Sequence, residues 1–223
     1  MEHYYNGSPE ADEILGPESG SRYRINAPLL FIKGNHEDFN FLEGLQGDKG
    51  LPVPVDKNQM IRFLRNGGIF EVDLGDGVKI SVAALGGISK DGMSGNDACT
   101  PFYTKSEVRK LRAAGRQVDI LLTHDVPFDS YYEETGSRDI GDLLLDLEPV
   151  YHFCGHYHQP GEEIEVRPGT TSFLLNEVNF RKRQVLNPGC FGILRWRNRA
   201  DHSFVLVDSE WLARFTRDNF REI

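Results

Sequence analysis

Pro28-Leu29-Leu30-Phe31-Ile32-Lys33-Gly34-Asn35-His36-Glu37-Asp38 is an apolar run that stops at a glycine and spills directly into polar side chains. A short continuous apolar run predicts a strand covered on both faces. The polar cluster then sits at the strand's carboxyl end. The same arrangement returns twice: Val118-Asp119-Ile120-Leu121-Leu122 delivers Thr123-His124-Asp125, and Pro149-Val150-Tyr151-His152-Phe153-Cys154 delivers Gly155-His156-Tyr157-His158. Ligand sites of layered α/β folds lie outside strand carboxyl ends, so this order predicts an α/β architecture with chemistry at the strand exits.

The intervening segments fit that plan. Glu37 to Leu45 can form a short helix packing Phe39, Phe41, Leu42 and Leu45, and Gly47 to Pro54 breaks it. Ile69 to Leu74 and Val78 to Leu85 read as a β-hairpin around Gly75-Asp76-Gly77. After a glycine-rich stretch from Gly86 to Pro101, Thr104-x-x-Glu107 has the spacing of a capping box on a helix reaching Ala114, stopped by Gly115. A second helix is predicted from Arg138 to Leu147. Runs near Ser172 to Leu175, Gly189 to Arg197 and Phe204 to Val207 make the remainder β-rich, before a closing helix that Ser209 could cap. Residues 1–27 show no period and read as a leading loop, and 1–223 is taken as one domain.

Bulk properties narrow the function. A net charge of -9 argues against broad attraction to nucleic acid, which is driven by neutralising phosphates with Lys and Arg. Arg181-Lys182-Arg183 and the alternating Arg195, Arg197 and Arg199 could line one edge with cations, yet solvated faces explain them more simply. Cys99, Cys154 and Cys190 contain no Cys-x-x-Cys pair and leave one thiol over, which suits a reducing compartment, the cytoplasm. No apolar run approaches the roughly 18 residues needed to cross a bilayer, and no secretory leader is apparent.

Imidazole nitrogen and amide oxygen suit borderline divalent ions. His156 and His158, one residue apart after a glycine, can project to one side, so each could serve one of two neighbouring ions. Gly34-Asn35-His36-Glu37, the lone His124 and Gly155-His156-Tyr157-His158 together resemble the calcineurin-like metallophosphoesterase superfamily. The resemblance implies an α/β/β/α-layered sandwich and a metal-dependent hydrolase of phosphoester bonds, using Mn, Fe, Zn or Ni. It implies Asn35, His124 and His156 as ligands of one ion, His158 as a ligand of the other, and His36 as the acid that protonates the leaving group, with Glu37 or Asp38 placed to orient it. Short apolar and glycine-rich stretches, including Asn66-Gly67-Gly68-Ile69-Phe70, are loosely similar to RNA lariat-debranching enzymes and favour a phosphodiester, with a nucleotide or nucleic acid among the candidate substrates.

Departures from the pattern lie at the front. The superfamily's Asp-x-His and Gly-Asp-x-x-Asp blocks have no counterpart before Gly34; Gly141-Asp142 with Asp146 is one residue too long and falls on a predicted helix. The expectation is therefore an N-terminally shortened sandwich lacking its first two strands. A mis-assigned start, a trimmed chain and real loss of one metal all remain open, with one ion in place of two and weak or no activity. A non-catalytic scaffold, as the resemblance to retromer's phosphoesterase-like subunit would allow, is the rival reading. His152, alternating with Cys154, is expected to be a satisfied interior residue, and Trp196, Trp211 and Phe191 are expected in the core.

Overall fold

The computed structural model describes residues 27–48, 50–90, 100–158, 162–181, 185–207, 214 and 216–218. The leading loop, the closing helix after Ser209, the middle of the Gly86 to Pro101 stretch, Cys99, Trp211 and Lys182-Arg183 lie outside these residues.

Strands β4 (Gly68–Gly75) and β5 (Val78–Leu85) pair antiparallel, as expected from their glycine-flanked turn. Asp76 and Gly77 both take left-handed φ values, 52° and 75°, as a two-residue hairpin loop requires. Alongside β5 run β6 (Ile120–Thr123), β7 (Tyr151–Cys154) and β9 (Thr170–Leu174), all parallel, and β8 (Glu162–Arg167) closes the far edge antiparallel to β9. The sheet order is β4-β5-β6-β7-β9-β8. The exits of β6, β7 and β9 therefore lie side by side.

Helices α2 (Lys105–Ala113) and α3 (Arg138–Leu147) cover one face of this sheet. The expected capping box is formed at Thr104 and Glu107, and Ser137 caps α3 by accepting from Ile140 N. Ile140, Leu143, Leu144 and Leu147 fall on one side of α3 and are fully buried against Val108, Leu111 and Leu121. Each such side chain contributes roughly 1.5–3 kcal/mol, so this seam fixes the helical layer.

The opposite face receives a second sheet layer. Strand β1 (Leu29–Phe31) pairs parallel with β3 (Ile61–Phe63), which pairs antiparallel with β2 (Val53–Pro54). A separate hairpin joins β12 (Gly192–Asn198) to β13 (Asp201–Leu206). Leu30 and Ile32 from the first unit and Leu194, Trp196, Phe204 and Leu206 from the hairpin pack onto Phe70, Ile120, Tyr151 and Phe173 of the large sheet. Alternation along β1 sends Phe31 the other way, to Phe63 and to Leu42 of α1 (Phe39–Gly44). The layers thus run α/β/β/α, as the sequence implied.

Several expectations need correction. The Pro28 to Ile32 run is not fully buried: β1 has three residues, pairs with β3 alone among the described strands, is half-buried at Leu30 and Phe31, and leaves Leu29 49% exposed. Strands β2, β3 and β8, with the short β10 (Phe180–Arg181) and β11 (Val185–Leu186), were not anticipated. An edge strand such as β8 faces water and carries Glu162 and Glu163, so it shows no apolar period. Of the arginine series, Arg195 and Arg197 are exposed, in line with the solvated-face reading, whereas Arg199 is engaged by the large sheet. The register slips between Trp196 and Asn198, and Arg199 turns to donate to Val118 O at 2.8 Å, Glu148 O at 3.0 Å and Asp119 at 3.1 Å, tying the hairpin to the large sheet. Arg197 pairs with Asp201 at 3.3 Å. Trp196, Cys154 and Cys190 are buried as expected, with both cysteines as free thiols. Among the described residues, no helix is long and apolar enough to cross a membrane.

Candidate metal centre

The site is built where β1 and β6 end against each other. Gly34 leaves little room for a side chain, since a Cβ there would crowd Glu37 Oε1 and His124 Cε1, each at 3.0 Å. Its backbone thus lets the His124 ring approach, and His124 Nε2 lies 3.0 Å from Asn35 Oδ1. The next exit is stitched on by Gly155 N donating to His124 O at 3.2 Å. This brings the His156 ring to 5.0 Å from His124, centroid to centroid.

The turn after β7 differs from the expected one. Gly155 was expected to supply the unusual backbone, but His156 and His158 themselves take left-handed φ values of 70° and 52°. Such conformations cost of order 1–3 kcal/mol in non-glycine residues and persist where surrounding structure imposes them. Here they turn both imidazoles into a cleft of about 420 Å³, shared with His124 and Glu177 at its polar end and walled by Leu30, Leu122 and Phe153.

Electrostatics keeps the inner pair neutral. Burial, reinforced by the neighbouring His156, His158 and His36, lowers the His124 pKa to about 4. Burial also lowers that of His156, against the opposing pull of Asp125. A neutral imidazole is a metal donor, whereas its protonated form is not. His156 Nδ1 is moreover buried without a hydrogen-bond partner. The unpartnered His156 nitrogen, the neutral His124 ring and the Asn35 amide oxygen beside that ring are donor types that fit a borderline divalent ion.

The five residues singled out in the sequence separate into a core and two satellites. Asn35, His124 and His156 come together. His158 lines the same cleft, with its Nδ1 held 2.8 Å from Glu177 Oε2. His36 is exposed; its backbone N–H donates to Glu37 Oε2 at 3.2 Å, and its charge bears on both His124 and His156. Asp38 is not placed to orient it, because its carboxylate caps α1 by accepting from Phe41 N at 3.0 Å. Among the described residues, no three His, Cys, Asp or Glu side chains are grouped closely enough to hold a metal ion. Glu177 was missed in the sequence: it follows β9 in an irregular segment 19 residues beyond His158, with no spacing to flag it.

With this geometry in place, comparison with known proteins assigns a class. Residues 4–160 match the family model of the calcineurin-like phosphoesterases, and the chain belongs to that family. Its chemistry is hydrolysis of phosphoester bonds with divalent metals. Among curated relatives, the lariat debranching enzyme of Drosophila pseudoobscura pseudoobscura is 30% identical over 59% of this chain and 29% of its own length. The human lariat debranching enzyme is 28% identical over 59% of this chain and 28% of its own. A CWF19-like protein 1 homolog of Drosophila melanogaster is 24% identical over 68% of this chain and 28% of its own. The chain thus spans less than a third of the length of these relatives.

Proposed function

We propose that this protein is a metal-dependent phosphodiesterase acting on a nucleotide-containing substrate as one domain in the reducing cytoplasm. The observation that carries the reading is the meeting of Asn35 Oδ1 with the neutral His124 at 3.0 Å, beside a His156 ring whose Nδ1 is buried without a partner. Asn35, His124 and His156 would hold a divalent ion of the Mn, Fe, Zn or Ni type. His158 would be a ligand of a second ion: with Nδ1 directed to Glu177, its neutral form carries the lone pair on Nε2. The chemistry such an ion supplies is Lewis-acid polarisation of the phosphoryl group and activation of water. His36 stands outside the donor set and delivers a proton from its imidazole to the departing oxygen. Leu30, Leu122 and Phe153 exclude water from the inner wall, which strengthens every polar interaction at the histidine end. The relatives named as lariat debranching enzymes support a phosphodiester between nucleotides as the bond attacked.

A non-catalytic scaffold is the rival reading. Assaying bis(p-nitrophenyl) phosphate with each of Mn, Fe, Zn and Ni, for the natural protein and for His36→Ala, separates the two. Turnover that His36→Ala abolishes while ion binding persists supports the hydrolase. Folded protein that binds ions but turns over nothing in either form supports the scaffold.

A further inference from the structure

Beyond the histidines, the rings continue. Tyr157 meets His156 at 5.1 Å between centroids, Tyr132 meets Tyr157 at 5.7 Å, and Tyr131 meets Tyr132 edge-on at 4.6 Å. This line of aromatic side chains leads from the candidate metal centre to solvent, where Tyr132 is 44% exposed. We propose that Tyr131, Tyr132 and Tyr157 form a stacking platform for one nucleobase of the substrate, seated beside the phosphate that the histidine cluster receives. The proposal rests on the phosphodiesterase reading and narrows its substrate to a short, base-bearing phosphoester.

The platform is held rigid. Ser137 N donates to Val126 O at 2.8 Å, Phe128 N to Ser137 O at 3.0 Å and Asp129 N to Thr135 O at 2.9 Å, closing the loop from 126 to 137 on itself. Thr135 Oγ1 fixes the Tyr132 carbonyl at 2.9 Å, and Glu134 N is held by Asp129 Oδ1 at 2.6 Å. The loop closes only because Gly136, at φ 86°, lets the backbone approach Pro127 O, which a Cβ would meet at 2.5 Å. Behind the exposed ring, Tyr131 and Tyr157 pack against the buried Val126, Cys154, Ile164 and Leu174. A ring presented this way loses little entropy when a planar ligand lands on it.

A longer occupant fits worse. A long nucleic acid would lay its phosphates across the exposed Glu133 and Glu134 on a chain of net charge -9, where no counterion release rewards binding. A single neutral base does not meet that objection.

The test uses the full chain loaded with Mn and calorimetric titration of adenosine 5′-monophosphate, ribose 5-phosphate and adenosine. Base stacking predicts that the nucleotide binds about tenfold or more tightly than ribose 5-phosphate, that Tyr132→Ala erases the difference, and that Tyr132→Trp restores it. Equal binding of nucleotide and sugar phosphate, or a difference that Tyr132→Ala leaves intact, overturns the platform. Tighter binding of an adenine 12-mer than of the mononucleotide overturns the restriction to one base. Adenosine bound through Tyr132 while ribose 5-phosphate fails to bind would uphold the platform and defeat the phosphate centre, so the two readings fail separately.

Discussion

His152 Nε2 lies 2.9 Å from Thr123 Oγ1, in the residue just ahead of His124. The Thr123 hydroxyl spends its proton on Asp125 O at 2.6 Å, so it accepts from Nε2–H, and His152 Nδ1 accepts from Ser172 Oγ at 3.2 Å. One neutral tautomer satisfies the whole buried line. Burial lowers the His152 pKa to about 3, below the ordinary 6.5. Below pH 6.5 the unfolded chain takes up a proton that the folded chain refuses. Stability is therefore fully present above pH 6.5 and falls as the pH drops toward 3, by up to about 5 kcal/mol from this group. The metal-free His124, lowered to about 4, adds in the same direction. Urea midpoints measured from pH 7.5 down to 5 should decline, and His152→Leu should flatten part of the decline; a midpoint indifferent to pH would contradict this account.

Glu177 holds His158 at 2.8 Å on Nδ1, the nitrogen opposite the one proposed to meet an ion. A carboxylate in that position fixes the orientation of the ring, and loss of such a partner typically weakens metal affinity 10–100-fold. Glu177→Ala should lower Zn or Mn affinity by about that factor without changing the circular dichroism spectrum. Unchanged affinity would mean that His158 is no ligand, or that its ring is fixed by something else.

The strands that end in chemistry were legible because their apolar runs are continuous: β6, β7 and α3 follow the expected stretches closely. Asn35, His124 and His156, each of which follows such a run, were grouped by the family resemblance rather than by the runs themselves. What stayed hidden lies where the chain has no period. Glu177 and the loop carrying Tyr131 and Tyr132 belong to irregular segments whose positions depend on distant partners, Gly136 against Pro127 among them. The left-handed turn at His156 and His158 was hidden for another reason: local preference assigns that conformation to Gly155, and the surrounding contacts override it.

Gly86 lies under the segment that carries the site. A Cβ at this position would stand 2.3 Å from Lys33 O and 2.7 Å from Lys33 N, backbone atoms that cannot swing aside. Lys33 is itself anchored, 1% exposed, with Nζ donating to Thr100 O at 3.2 Å and Phe102 O at 3.1 Å. Gly86→Ala should cost about 1–3 kcal/mol, as overpacking does, and should displace Asn35 along with Lys33. A denaturation midpoint equal to that of the natural protein would show that the two segments can part without penalty.

Asn35 and His124 can be tested as a pair because they face each other at 3.0 Å and are proposed to serve the same ion. Their mutual hydrogen bond is worth only about 0.5–1.5 kcal/mol net, so neither Asn35→Ala nor His124→Ala should unfold the protein. Each should nevertheless lower metal affinity tenfold or more, since each removes one donor from a set of three. Once either donor is gone the ion is held poorly, and removing the other has less left to take away. The double variant should therefore lose less than the two single losses combined, giving a coupling energy of about 0.5–3 kcal/mol for residues that share a partner. Strictly additive losses would place the two side chains on different ions, and no loss at all would remove the metal from this end of the cleft.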